Sequence, residues 1–557
     1  MFRLTLLHHQ KLLWRGDELR PFEANGGLEV STVRGIQLRR IGIRGAGVTL
    51  LAQASTYVVQ LAGTLILART LLPSDFGLLT VVTTFSIFLA SIGQIGFPEA
   101  ILQREDMNHR LASNLFWMNL GIASALTLVF AATGPLLARA YGDARLALIT
   151  VATSLSIFFT GASVVHLALL NRTMRFAAVS ANNIISRFVS LLLSVGMARM
   201  GFGYWALVAG VVMQPLAATI AAWVQCRWIP SLPRSAEGTA TLFRFALNVN
   251  GRWNLSYCTR NLDNLLVGWR FGSGPLGFYK KAYDLFALPA NQFLSAFPVA
   301  VSTLSRLTRD PAQYRRYLLA TVSAVSLLGM GTSGVLTLVG RDIVRLILGP
   351  AWEFSGWIFT FFGPGIGVML IYSITGMIHL SIGTTGRWLR WTVIELAVTA
   401  LLFVLALPFG PMGVAAAWTA SFWILIFPGF RYAGKPIQLE VSPVVRITLN
   451  FTVAALLAGA TSALIVHQIP SLSTLPRWIG ALIRITLTSS VFVPLYVGAV
   501  ILVHRGCAPL RQFAGILREM ISSRQLPSQS SAIEKVYPNQ PVPVPHSTAT
   551  GDATYTC

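Results

Sequence analysis

Charge is what this chain has least of. Only 11% of its 557 residues are Asp, Glu, Lys or Arg, against roughly 25% in soluble domains, and its mean hydropathy is +0.63, which excludes a water-soluble globular fold. Acids are scarcer than bases, 20 against 43, for a net charge of +23. That excess does not point to nucleic acid, because the bases are scattered through short connections between apolar runs and form no polar domain. Cysteine is nearly missing: Cys226, Cys258, Cys507 and Cys557 show no CxxC spacing, so neither a disulfide framework nor a zinc site is indicated. No short apolar core with a small-residue cleavage site stands near the start, so no signal peptide is expected. Connections rarely exceed about fifteen residues, which leaves no room for a soluble catalytic domain.

What the chain does have is apolar runs. "WALVAGVVMQPLAATIAAW", residues 205–223, reaches the roughly 20 residues needed to cross ~30 Å of hydrocarbon. Such windows recur at about 46–68, 78–98, 113–133, 146–169, 176–198, 203–225, 242–268, 282–304, 317–340, 356–381, 389–407, 412–430, 445–467 and 479–503, predicting about 14 transmembrane helices. The expected fold is an all-α integral membrane protein. It has a basic cytoplasmic extension over 1–45, a first lobe of six helices over 46–225, a second lobe over 242–430, and two further helices over 445–503. The Ser/Pro/Gln-rich tail over 523–557 is expected to be disordered. Basic residues concentrate in the N-terminal segment and in the connections after spans eight (Arg306, Arg309, Arg315, Arg316) and twelve (Arg431, Lys435, Arg446), whereas "PFGPMG" has none. Both termini are therefore expected on the cytoplasmic side, with "WRFGSGPLGFYKK" a basic exception on the far side.

The chain resembles itself at one offset. "LARTLLPSDFGLL" (67–79) aligns with "VGWRFGSGPLGFY" (267–279), and "GFPEA" (96–100) with "AFPVA" (296–300), both 200 residues apart. A span, turn and span in constant register argue for duplication. Six helices per half is an even number, so the halves enter the membrane from the same side as parallel repeats, a transporter plan that places a binding site at the repeat interface.

The helix at the start of the second half is the most charged. In "RWNLSYCTRNLDNLLVG" (252–268), two arginines and an aspartate facing lipid would cost on the order of 8–10 kcal/mol even on the lenient insertion scale. Asn248, Arg252, Ser256, Arg260 and Asp263 with Asn264 recur at helical spacing, while Leu255, Leu262 and Leu266 lie on another side, so they form one polar stripe. Asp263 can pair with Arg260 one turn away, which leaves Arg252 without an acid and favours a water-filled cavity that receives an anion. Weaker stripes run along span one (Gln53, Thr56, Gln60, Thr64), span five (Asn183, Arg187, Ser190, Ser194) and span eight (Asp284, Asn291, Ser295). Each alone reads as interhelical hydrogen bonding. Converging with span seven, they would make a central cleft with guanidinium forks for diphosphate and amides for sugar hydroxyls. Glu395, a lone acid in an apolar span, either takes up a coupling ion, a role shared with Asp263, or answers an arginine across the bundle. His166 and His379 hold matching places in the two halves and read as hydrogen-bonded structure. Pro98, Pro298, Pro215, Pro289 and Pro364 are candidate breaks or bends.

"LARTLLPSDFG", "FPEAILQRED", "ALLNRTMRF", "GFGYWALV", "RNLDNLLVG", "LGFYKKAYDLFALP" and "FPVAVSTLSRLTRDP" together resemble the polysaccharide transporter branch of the multidrug/oligosaccharidyl-lipid/polysaccharide exporter superfamily. These are the bacterial flippases for lipid-linked O-antigen and exopolysaccharide repeat units. The likeness runs in order from about residue 40 to residue 435. It implies two six-helix bundles plus two C-terminal helices in the bacterial inner membrane. It also implies alternating-access transport of an undecaprenyl-diphosphate-linked oligosaccharide, driven by an ion gradient or by downstream consumption. The implied partners are that polyprenyl-diphosphate-linked cargo, membrane lipids, and polymerase and export proteins of the same pathway; no cofactor, no nucleic acid and no enzymatic activity are implied. The Lys280/Lys281 pair agrees in charge with relatives. The rival readings are a drug or cation antiporter of the same superfamily, whose cleft would be acidic, and a membrane glycan polymerase or ligase, which would need a sizeable extramembrane loop.

Overall fold

The computed structural model describes residues 35–93, 97–103, 107–233, 239–294, 297–468 and 477–522, with side chains from Ala52 onward in the first helix and from Leu255 onward in the ninth. Every element among the described residues is helical. The first half comprises α1 (Gly35–Thr70), α2 (Pro73–Gly93), α3 (Phe97–Gln103), α4 (His109–Ala132), α5 (Gly134–Tyr141), α6 (Arg145–Arg172), α7 (Phe176–Arg199) and α8 (Tyr204–Cys226). The second comprises α9 (Thr239–Phe271), α10 (Ser273–Leu294), α11 (Phe297–Leu307), α12 (Pro311–Leu348), α13 (Glu353–Phe362), α14 (Gly365–Ser381), α15 (Thr385–Ala406) and α16 (Gly410–Gly434), followed by α17 (Val441–His467) and α18 (Arg477–Val503). A separate unit over 504–557 contains α19 (Ala508–Ser522), whose spacing puts Leu510, Phe513 and Ala514 on one face and Arg511 and Arg518 on another.

Nine stretches among the described residues are long and apolar enough to cross a membrane, one of them, Thr385–Ile437, running over both α15 and α16. The pair α13 and α14, bent by 51° at Pro364, adds a tenth. The chain is thus a multi-pass, all-α membrane protein. Helices α1, α9 and α10 fall outside that set, and these are helices along which polar residues recur on one face. Proline punctuates the rest as its missing N–H requires. Pro98 and Pro298 each take the second position of a short helix, α3 and α11, that follows a longer one, again 200 residues apart. Pro215 and Pro289 lie inside α8 and α10. The short α5, capped by Gly142 at φ 68°, is an element that the apolar windows do not reveal.

The two halves meet where α2 crosses α10. A Cβ on Gly77 would lie 1.7 Å from the Ser273 carbonyl oxygen, and one on Gly277 would lie 1.8 Å from that of Pro73. Residues 73 and 77 therefore face 277 and 273, each contact repeating the other at the same offset of 200. Reciprocity of this kind is what two helices related by a two-fold axis make, and only glycine leaves room for backbones this close. The same end is fastened by the Trp352 indole, which donates to the Ala68 carbonyl at 2.7 Å, by Arg69, which donates to Leu346 O at 3.1 Å, and by Phe76 edge-on to Trp352 at 5.4 Å.

Helices α17 and α18 are held by α12. Arg484 grips Asp342 through Nε at 3.1 Å and Nη2 at 2.5 Å. The Tyr496 hydroxyl donates to Leu327 O at 2.9 Å, and Phe492 sits directly over Gly334, where a Cβ would be 2.3 Å from its ring.

Candidate functional site

Three polar stripes come together between the halves. Gln53, Thr56 and Gln60 of α1 face Ser180, Asn183 and Arg187 of α7 across a cavity of about 470 Å³, and Asp284 and Asn291 of α10 complete its wall. A cavity of about 240 Å³ continues from Gln60 and Arg187 and adds Thr64, Ser190, Ser194 and Lys281. The stripes turn inward because amides and charges on these helices have no other place than a wet interior once the rest of each helix faces apolar surroundings. Close approach of α7 to α8 supports the wall: the Ser190 hydroxyl donates to Gly210 O at 2.8 Å, and Gly210 leaves no space for a Cβ beside Ser194.

The cavity is cationic. Lys280 meets Asp284 at 2.8 Å and Lys281 approaches it at 3.9 Å, while Lys281 also stands 4.3 Å over the Phe76 ring. Arg187, which forms no ion pair among the described residues, and Lys281 line the two cavities with one carboxylate, Asp284, which Lys280 also neutralises. Such a site attracts an anion, and a guanidinium accepts phosphate oxygens two at a time.

The stripe of α9 goes elsewhere. Arg260, with Ser256 and Thr259, borders a second, smaller cavity of about 140 Å³ inside the second half, opposite Glu395 of α15 and Tyr372 of α14. The Trp391 indole donates to the Tyr372 hydroxyl at 2.7 Å, and that hydroxyl donates to Glu395 Oε2 at 3.0 Å. Glu395 and Arg260 both line this cavity. Asp263, 2% exposed, accepts from the Tyr279 hydroxyl at 2.8 Å and from the Asn264 N–H at 2.8 Å, and Asn264 bonds Asn261 at 3.3 Å. No ion pair joins Asp263 to Arg260; the tyrosine across the α9–α10 seam takes that place. The side chains of Arg252 and Asn248 lie outside the described residues.

Of the residues singled out from the sequence, Gln53, Gln60, Asn183, Arg187 and Asn291 thus share one cavity. Arg260 and Glu395 share another, and Asp263 and Asn264 are buried in a helix seam. Lys281 and Tyr372 were not singled out as ligands; the sign of the former is visible in the Lys280/Lys281 pair, but nothing local marks the latter. His166 is stacked on Trp223 at 4.4 Å with Nε2 3.2 Å from Trp228 O. His379 lies on Trp388 at 6.0 Å with Nδ1 2.9 Å from the Thr384 hydroxyl. Both are structural, as their places near helix ends suggest.

Residues 66–355, just over half the chain, match the profile of the family described as polysaccharide biosynthesis protein. The chain belongs to this family. Among curated relatives it is 24% identical over 313 residues to the succinoglycan biosynthesis transport protein ExoT of Rhizobium meliloti strain 1021, covering 56% of this chain and 63% of that one. It is 24% identical over 391 residues to the teichuronic acid biosynthesis protein TuaB of Bacillus subtilis strain 168, covering 59% and 79%. It is 21% identical over 328 residues to the lipopolysaccharide biosynthesis protein WzxC of Escherichia coli strain K12, covering 57% and 65%. The match thus spans somewhat less than two thirds of the length of ExoT and WzxC. Among solved structures, the lipid II flippase MurJ in an inward closed conformation shares the fold at 15% identity, with a TM-score of 0.63 over 80% of this chain and 97% of that one. An inward-facing multidrug resistance transporter of the MATE family gives 0.52 at 13% identity, over 70% and 96%. The family is one of polysaccharide biosynthesis, and the fold is one that the chain shares with a lipid II flippase and a multidrug transporter.

Proposed function

We propose that this chain flips an undecaprenyl-diphosphate-linked oligosaccharide, an O-antigen or exopolysaccharide repeat unit, across the bacterial inner membrane by alternating access. The observation that carries the reading is the convergence of α1, α7 and α10 on one cationic, amide-rich cavity between the halves. In it Arg187 and Lys281 receive the diphosphate, and Gln53, Gln60, Asn183 and Asn291 meet sugar hydroxyls. The polyprenyl chain stays in lipid. The curated relatives' names, which speak of succinoglycan, lipopolysaccharide and teichuronic acid biosynthesis, support the class of cargo. Arg252 belongs to the same reading, as a further cation on α9.

Counting α15 and α16 as two spans and adding α1, α9 and α10 brings the number to the expected 14, arranged as two six-helix lobes and a final pair, with both termini cytoplasmic. The reciprocal Gly77 and Gly277 contact supports lobes over 46–225 and 242–430. On this orientation the fastened end, where Trp352 meets Ala68, is the periplasmic one, and the cavity awaits cargo from the cytoplasm. Glu395 and Asp263 serve ion coupling: a proton or cation taken up beside Glu395 releases Arg260 from its charge.

The test is export in cells that carry Arg187→Ala or Lys281→Gln at unchanged protein abundance. The expected result is a fall in surface polymer with accumulation of its lipid-linked precursor in the inner leaflet. Normal export with both substitutions combined would remove the cationic cavity from the mechanism.

A further inference from the structure

A third hollow, on α4, α6 and α8, belongs to neither of the sites above. It is a groove of about 620 Å³ walled by Trp117 and Leu120, by Phe159, and by Ile220 and Val224, and closed at one end by Ile229. The polar groups on its walls are already spent inside the protein. The Trp117 indole donates to Ser231 O at 2.8 Å, the Trp223 indole to Ala162 O at 3.0 Å, and the Thr219 hydroxyl to Phe159 O at 2.6 Å. A groove with no hydrogen-bonding capacity left is filled at least cost by hydrocarbon.

Its closed end is basic. The strap 227–233 lies across the start of α4, where Trp228 donates to His109 Nδ1 at 2.9 Å and the Ser231 N–H to Ser113 Oγ at 3.0 Å. Two exposed arginines stand there. Arg227 caps α8, two residues before Ile229. Arg110 lies seven residues before Trp117 on the same face of α4, about 10 Å toward the strap. Neither guanidinium forms a hydrogen bond or ion pair with another described residue. Apolar walls that end at two unsatisfied arginines match an acyl chain joined to an anionic headgroup, and basic pockets between transmembrane helices hold such heads.

We propose that this groove is the site of a resident anionic glycerophospholipid, with one acyl chain against Ile220 and Val224 and its phosphate on Arg110 and Arg227. The charged side chains of the central cavity come from α7 and α10, so cargo held there by its head does not compete for the groove.

The full chain, reconstituted in vesicles of phosphatidylglycerol and phosphatidylethanolamine and then extracted gently, is examined by native mass spectrometry. The expected result is one retained phosphatidylglycerol per chain. Arg110→Gln combined with Arg227→Gln should lower the preference for phosphatidylglycerol over phosphatidylethanolamine roughly thirtyfold, the effect of two arginines beside an anionic headgroup. Ile220→Trp, at a position 57% exposed and so tolerant of bulk, fills the groove and should abolish retention of either lipid at an unchanged unfolding temperature. Retention unaffected by these variants, equal retention of the two lipids by the unaltered chain, no retained lipid, or a retained polyprenyl phosphate from cell membranes would each overturn the assignment.

Discussion

The crossing of α2 and α10 makes the sharpest prediction. An alanine at Gly77 places its methyl carbon 1.7 Å from the Ser273 oxygen and 2.5 Å from the Ser273 carbonyl carbon, where 3.4 Å or more is ordinary contact. The obstacle is backbone on both sides, so no rotamer change relieves it, and the helices must part by about 1.5 Å. Overpacking of a fitted interface costs typically about 1–3 kcal/mol. Levied on the fastened arrangement alone, that penalty moves its population against the unfastened one by roughly 5- to 150-fold. Gly277→Ala should do the same, because it meets the same crossing from the other helix, and the double variant should add less than the sum, since helices already parted have made room. The assay is disulfide formation between cysteines placed at Arg69 and Leu346, whose contact fastens this end, in a chain lacking Cys226, Cys258, Cys507 and Cys557. Cross-linking should fall with Gly77→Ala and stay unchanged with Gly121→Ala, where a Cβ meets nothing within 4 Å. Undiminished cross-linking with both Gly77→Ala and Gly277→Ala would refute the idea that this crossing governs how the halves meet.

Further outcomes follow from the other sites. Glu395→Gln keeps the hydrogen bond from Tyr372 but removes the charge opposite Arg260, so export measured against an imposed pH gradient should lose its dependence on that gradient while protein abundance holds. Asp263→Asn keeps the hydrogen bond from Tyr279, because an amide oxygen accepts as a carboxylate does, but removes the charge, so export should fall at unchanged protein abundance; normal export would remove Asp263 from ion coupling. Arg484→Met strands the part-buried Asp342 without its partner and should destabilise the chain by about 1–3 kcal/mol, seen as a lower unfolding temperature in detergent, with Asp342→Asn plus Arg484→Met recovering most of it. On the exposed turn before α6, the Arg145 guanidinium at 2.7 Å holds the Asp143 carboxyl below its ordinary value. The stability that this contact adds is present above the ordinary aspartate pKa of about 3.9 and is lost as pH falls through the depressed value, so Asp143→Asn should differ from the unaltered chain only above that range.

Helix positions were legible because each follows from local content. The windows at 113–133, 176–198 and 203–225 agree with α4, α7 and α8 to within about four residues, a margin set by fraying and caps. The stripes on α1, α7 and α10 were legible for an energetic reason: amides and charges at helical spacing cannot face lipid, so they had to face one another. The destination of the α9 stripe was not. Spacing says that Arg260 and Asp263 turn away from lipid, but whether they meet α1 and α7 or α14 and α15 depends on which helix packs beside α9, and sequence distance carries no trace of that. Tyr279, sixteen residues from Asp263, supplies the hydrogen bond that Arg260 was expected to supply. The short α3, α5 and α11 escaped because seven to eleven residues are too few for a hydropathy window.

Because Asp342, Leu327 and Gly334 of one long helix bind α18 by charge, hydrogen bond and ring packing together, the final pair has no freedom of its own. Whatever tilts α12 drags α17 and α18 through the bilayer with it. In the proposed alternating access the second half therefore displaces more lipid per degree of rotation than the first, and in a viscous membrane the lighter half makes the larger excursion.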